Sequence, residues 1–113
     1  MDNIKNMTLW TTGIEVDYGY AGNNKYGWSA KCNWQGGNFI QNGYMEGEIR
    51  TRYYEPTIEQ AIDEVLIIMN KFGIKPHDGS KFSLYRDEEY EQSEEIKEVM
   101  RLEAKRRKWE YYF

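Results

Sequence analysis

Residues 57–74 constrain the fold of this chain more than any other stretch. Thr57 followed by Gln60 at the third helical position has the pattern of a capping box. Ile58, Ala61, Ile62, Val65, Leu66, Met69 and Phe72 then recur at three-to-four-residue spacing, as the buried stripe of an amphipathic helix does. Gly73 suits the left-handed residue after a helix end, Ile74 its apolar contact, and Pro76 forbids continuation. The pattern predicts a helix that begins after Thr57 and stops at about Phe72, lying on a sheet. Just before it, Gly47-Glu48-Ile49-Arg50-Thr51-Arg52-Tyr53-Tyr54 reads as a strand. Arg50 and Arg52 share one face of that strand, opposite Ile49, Thr51 and Tyr53. A rigid strand presenting two guanidinium groups suits phosphate or carboxylate binding better than acid–base chemistry.

The residues upstream alternate with period two. Ile14, Val16 and Tyr18 oppose Glu15 and Asp17, while Tyr26, Trp28, Ala30, Cys32 and Trp34 oppose Gly27, Ser29, Lys31 and Asn33. Gly19 to Asn24 has the residues of a hairpin loop, Gly36-Gly37-Asn38 those of a tight turn into Phe39-Ile40, and Gln41-Asn42-Gly43 turns the chain into the arginine strand, which ends near Tyr54. After a polar turn through His77, Asp78 and Gly79, the run Lys81 to Tyr85 alternates like one more strand, with Phe82 and Leu84 on one face. The expected architecture is α+β: an antiparallel meander of four to five strands, one packed helix and a long terminal helix, as a single domain over residues 1–113.

The terminal helix is predicted from Asp87 to about Tyr111, because no glycine or proline interrupts that span. Its first turns hold Asp87, Glu88, Glu89, Glu91, Glu94 and Glu95 and its last hold Lys105, Arg106, Arg107 and Lys108, matching the helix macrodipole. At roughly 35 Å it would outrun the sheet. Its apolar positions, Tyr90, Ile96, Val99, Met100, Leu102 and Ala104, make a narrow stripe. Two such helices running antiparallel would complement each other in charge, which predicts a homodimer or higher oligomer.

Aromatic residues make up 16% of the chain, including ten tyrosines and four tryptophans, so it has the side chains for a folded core with polar tips left for a partner. A net charge of −4 argues against stable nucleic-acid binding driven by phosphate contacts. One cysteine, Cys32, and no charged-then-apolar leader favour a reducing, cytoplasmic setting. No apolar run approaches the roughly 20 residues that span a bilayer. His77 is the sole histidine and Cys32 has no second cysteine or paired histidine, so neither metal nor cofactor is expected. The carboxylates of residues 87–95 are spread around a helix rather than gathered on a calcium-type loop. Phosphate-loop and dinucleotide glycine motifs are absent from the sequence.

What remains is a set of forks and flat rings. Arg50, Arg52, Arg86, Arg101, Lys105, Arg106 and Arg107 offer donors for phosphate; Phe82, Tyr85 and Tyr90 offer surfaces for a base; Gln92 offers an amide for a base edge. Each also has a plainer reading: strand arginines on an exposed sheet face, helical ones in ion pairs, Phe82 under the helices.

The order of a Trp-rich meander, the Gly-Glu-Ile-Arg-Thr-Arg-Tyr strand, the Glu-Gln-Ala-Ile-Asp helix ending in Phe72-Gly73-Ile74, a short strand and a charged terminal helix resembles the phage anti-Thoeris sponge proteins of the first type. The resemblance spans residues 9–110 in architecture and Trp28 to Ile74 in motif. It implies a non-enzymatic, phage-encoded protein of the infected bacterial cytoplasm that sequesters a cyclic ADP-ribose-type signal, glyco-cyclic ADP-ribose included, and in some members cyclic oligonucleotides. It also implies a ligand held between subunits by the last strand and terminal helix, which here means Phe82, Gln92, Arg101, Lys105, Arg106 and Arg107, with Gln92 standing where the family has asparagine. Two other readings stay open. A strand meander with a capped helix also resembles HicB-type antitoxin domains, and an acidic face would suit a protein inhibitor such as an anti-CRISPR. A small phosphodiesterase or lyase working through His77 is the third.

Overall fold

Strand β3, Lys25–Asn38, is the member on which the sheet is built. In this computed structural model, which describes residues 8–38, 43–77, 81–87 and 91–112, β3 pairs along one edge with β1 (Thr8–Thr11) and β2 (Gly13–Gly22) in turn. Its other edge takes β4 (Gly43–Arg50), from Lys31↔Arg50 to Asn38↔Gly43. Strands β1 and β2 are almost one strand, bent where the buried Thr11 hydroxyl donates to Asn33 O at 2.6 Å and accepts from the Gly13 N–H at 3.2 Å. Beyond them the sheet turns parallel. Strand β5 (Lys75–Pro76) pairs with β1, β6 (Ser83–Arg86) with β2, and β7 (Glu110–Tyr112) with β6. Among the described residues the fold is therefore α+β, a mixed sheet of seven strands with helices α1 (Ile58–Phe72) and α2 (Glu94–Arg107).

Period-two alternation divides the sheet into a covered face and an open one. Ile14 pairs with Cys32 and Leu84, and Val16 with Ala30, so these side chains share one face. Both helices lie on it: Ala61, Ile62, Val65 and Met69 of α1 and Met100 and Ala104 of α2 are as fully buried as the strand residues beneath them. Helix α1 has the predicted ends. Thr57 Oγ1 accepts the Gln60 N–H at 3.1 Å, and Gly73, at φ 70°, donates to Asn70 O while Ile74 donates to Met69 O at 3.0 Å. That is the paired C-terminal closure that glycine makes possible. Phe72 departs from the expected stripe, being 52% exposed.

Four sequence expectations need correction. The hairpin between β2 and β3 is tighter than a six-residue loop: Asn23 and Asn24, at φ 53° and 59°, make a two-residue turn whose twist matches the flanking strands. Gly36, Gly37 and Asn38 are strand and not turn; Phe39, Ile40, Gln41 and Asn42 lie outside the described residues, as do Asp78 and Gly79. The arginine strand ends at Arg50, although Thr51 N–H still reaches Ala30 O at 2.9 Å. The terminal helix is 14 residues long, about 21 Å, and part of its expected start, residues 88–90 with Tyr90, lies outside the described residues. Ser93 caps it by accepting the Ile96 N–H. Lys108 ends it at φ 62°, with Trp109 N–H returning to Ala104 O at 2.9 Å. Lysine does here what glycine does for α1, because the next residues dock: Trp109 meets Phe82 edge-on at 5.7 Å, and Tyr111 donates its hydroxyl to Met100 Sδ. The chain then returns as β7, so β6, α2 and β7 form a parallel crossover rather than a projecting arm.

Candidate functional site

The open face carries a row of side chains that crosses the whole sheet. Register places Arg50 beside Lys31, Lys31 beside Glu15, Glu15 beside Tyr85, and Tyr85 beside Tyr112. Asp17 and Ser29 form the next pair along β2 and β3, and beyond them Gly19 faces Gly27. Where those two glycines leave the face bare, the Tyr54 side chain lies over it: a Cβ on Gly27 would stand 2.8 Å from Tyr54 Cβ, and one on Gly19 3.5 Å from the Tyr54 ring. Tyr54 thereby walls a cleft of about 330 Å³ floored by β2 and β3, with Arg50, Arg52, Tyr53, Lys31, Glu15, Asp17 and Asp87 around it. This volume lies at the lower end of the range for small-molecule sites.

Charge is divided across the cleft. Arg50 and Arg52 stand on the β4 side, the three carboxylates on the β2–β6 side, and Lys31 between them, 3.4 Å from Glu15 and 4.0 Å from Asp87. Burial alone would lower the Lys31 ammonium, but Glu15 and then Asp87 hold it above the ordinary lysine range. Asp17 moves the other way for a carboxylate: burial, followed by repulsion from Asp87, pushes its carboxyl up, and the Tyr18 N–H, Gln92 and Lys31 offset only part of that. Gln92 fixes this group, donating Nε2 to Asp17 Oδ1 at 2.8 Å and to Tyr18 O at 3.2 Å. Arg52 donates its backbone N–H to Glu64 Oε1 at 3.1 Å, and its guanidinium carbon is 6.0 Å from the Tyr53 ring centroid. Tyr53 is 70% exposed.

The residues expected to bind a ligand are divided between the cleft and other parts of the molecule. Arg50 and Arg52 line the cleft, Gln92 holds one of its carboxylates, and Tyr85 continues the same row, stacked on Tyr112 at 5.1 Å. Arg86 is aligned with Val16 and so belongs to the other face. There burial pushes the Tyr111 hydroxyl up to about 12, with Arg86 acting in the opposite sense. Phe82 packs against Trp109 at the margin of the core. Arg101 pairs with Glu98 on its own helix, and Lys105 is exposed. Arg106 binds Glu103 at 2.6 Å, while Arg107 binds Glu103 at 2.5 Å and Asp63 of α1 at 2.8 Å. These last two hold the helices together and do not line the cleft.

His77 also lies away from the cleft; its backbone N–H donates to Thr11 O and its side chain is exposed. Cys32 is fully buried, and burial pushes its thiol up, which leaves it a packing residue. Among the described residues no cluster of His, Cys, Asp or Glu is arranged to hold a metal, and no helix is long and apolar enough to cross a membrane. Lys31, Glu15 and Asp17 were legible as the polar side of two alternating strands; Tyr54 carried no signal, since its role depends on glycines 27 and 35 positions away. Comparison with protein-family models, with curated proteins and with solved structures yields no match.

Proposed function

We propose that this protein is a non-enzymatic sponge that binds a small ribose phosphate signal, of the cyclic ADP-ribose type, in the open-face cleft and holds it unchanged, so that a defence response depending on that signal is silenced. The division of charge across the cleft carries the reading. A ribose diphosphate has two chemically distinct ends. Guanidinium forks suit its phosphates, which assigns them to Arg50 and Arg52. Carboxylates accept from ribose hydroxyls, as acidic residues do in dinucleotide sites, which assigns the sugar to Glu15 and Asp17. The exposed Tyr53 and the Tyr54 wall offer flat surfaces for a base. In this reading the terminal-helix arginines serve the helix packing, and Gln92 acts by orienting Asp17.

The test is calorimetric titration with cyclic ADP-ribose isomers and with cyclic di- and trinucleotides, followed by recovery of the ligand after heat denaturation. Intact ligand and a loss of about 10–100-fold in affinity on Arg52→Ala are expected, the size of a lost charged hydrogen bond. Release of a cleaved product, or indifference to every one of these ligands, overturns the proposal.

A further inference from the structure

Strand β4 is an unprotected edge. It pairs with β3 along one side and, among the described residues, with no strand along the other. Its eight residues include no proline, and its register with β3 is unbroken, so two of the devices that blunt an edge, proline and a bulge, are missing, and the charges it carries are of both signs. Because Thr51 N–H points to Ala30 O, ladder alternation turns the N–H and C=O groups of Tyr44, Glu46, Glu48 and Arg50 toward the free side. Along the open face the strand reads Glu46, Glu48, Arg50, and Arg52 follows in the bend just past its end, beside the same cleft: two negative charges, then two positive. A row of that order complements itself when a second copy runs antiparallel.

We propose that β4 pairs antiparallel with β4 of a second copy of this chain, about a two-fold axis through Ile49. Glu48 then faces the partner's Arg50 and Arg50 the partner's Glu48, while Glu46 and Arg52 supply opposite charges one step further out. Register is decided by charge. An axis through Glu48 sets that carboxylate against itself, and one through Gly47 sets Glu46 against Glu48, so the axis through Ile49 is the one that opposes unlike charges throughout. Within one chain Arg50 pairs with Glu48 of its own strand, with side chains 64% and 37% exposed, and such a pair contributes little to stability that would resist exchange.

The covered side supports the same partner. An apolar groove of about 280 Å³ opens beside β4, lined by Met45, Ile49, Phe72 and Ile74 among others. Phe72 and Met45 are 52% and 38% exposed there. The two-fold brings Ile49 against its own copy and joins two such grooves across the axis, covering apolar surface that a lone chain leaves in water. Self-association thus moves from the terminal helix, where the sequence pointed, to the sheet edge, and because Arg50 and Arg52 also line the cleft, it is read on the chain without ligand.

Sedimentation equilibrium of the full chain at micromolar concentrations tests this, with circular dichroism confirming the fold of each variant. The unaltered chain is expected to be a dimer. Glu48→Arg and Arg50→Glu should each raise the dimer dissociation constant about tenfold or more, since each sets two like-charge pairs across the axis. The double variant Glu48→Arg/Arg50→Glu should recover the dimer, because the order of signs is again self-complementary. A monomeric parent chain, a dimer indifferent to both single reversals, or single losses that the double variant fails to recover would each overturn the proposal.

Discussion

Ile14 and Glu15 are adjacent in the chain, yet one is sealed beneath two helices and the other lines an open cleft. The two faces of this sheet are made by the same strands, with the same twist and the same hydrogen bonds. They differ in what crosses over them. On the covered face, burial removes apolar surface from water and supplies stability. On the open face, charged groups keep their hydration, stabilise little, and stay available to a ligand. Stability and the proposed recognition are separated by a single residue step along β2 and β3, so substitutions on the two faces should have effects of different kinds.

The largest effect should come from the covered face. Leu84→Ala at the centre of β6, a site with no exposed surface, is expected to lower unfolding free energy by about 2–5 kcal/mol in urea denaturation. A loss below about 1 kcal/mol would mean that this face is not what holds the molecule together.

Glu103 is the charged group to test on that side, 7% exposed between the helices. Burial pushes its carboxyl up, but hydrogen bonds from Arg106 and Arg107 outweigh burial and hold it below the usual range. A folded-state value below the unfolded one gives stability that is present above the unfolded value, near 4.5, and lost as pH falls through the folded value. Glu103→Gln should therefore cost about 1–3 kcal/mol at neutral pH, with the gap to the parent closing in acid. A gap that stays constant with pH would show that the ionised carboxylate is not what binds the helices.

Asp17 on the open face reverses that sign. Its raised carboxyl means that the fold favours the protonated form, so ionisation weakens the fold above the usual value of 3.8. Asp17→Asn keeps an acceptor for Gln92 and should raise the melting temperature slightly at neutral pH, an advantage that fades below that value. Destabilisation at neutral pH would place Asp17 among the structural residues instead. The smallest change in stability should come from Arg52→Ala, within about 0.5 kcal/mol of the parent, even as ligand affinity falls. Equal losses of stability and affinity would erase the distinction between the faces.

Much of this arrangement was legible in the sequence where the signal is local. Thr57 and Gly73 fixed both ends of α1 because a cap needs only its own turn, and alternation grouped Ile14 with Val16 and Ala30 with Cys32, each pair on one side of its strand. The parallel partners of β1, β2 and β6 were hidden because spacing within a strand does not say which strand lies beside it. Residues 108–111 read as helix for a similar reason. Lys108 adopts a left-handed conformation that its type seldom prefers, and the contacts that make it do so, Trp109 on Phe82 and Tyr111 on Met100, are tertiary. At the cleft, Arg50 and Arg52 were visible as a strand pair, whereas Tyr54 and Asp87 joined them only through the fold.

The order in which these pieces can assemble follows from the central position of β3. Its hairpin with β2 closes over two residues and belongs to a class of events complete in about 1–10 µs. Ile14 meets Leu84 across seventy positions of chain, a far longer loop to close, and β7 must wait for β6. A hairpin formed this early would leave Val16 and Ala30 in water until α1 docks, a surface open in that interval to a chaperone or a neighbouring copy.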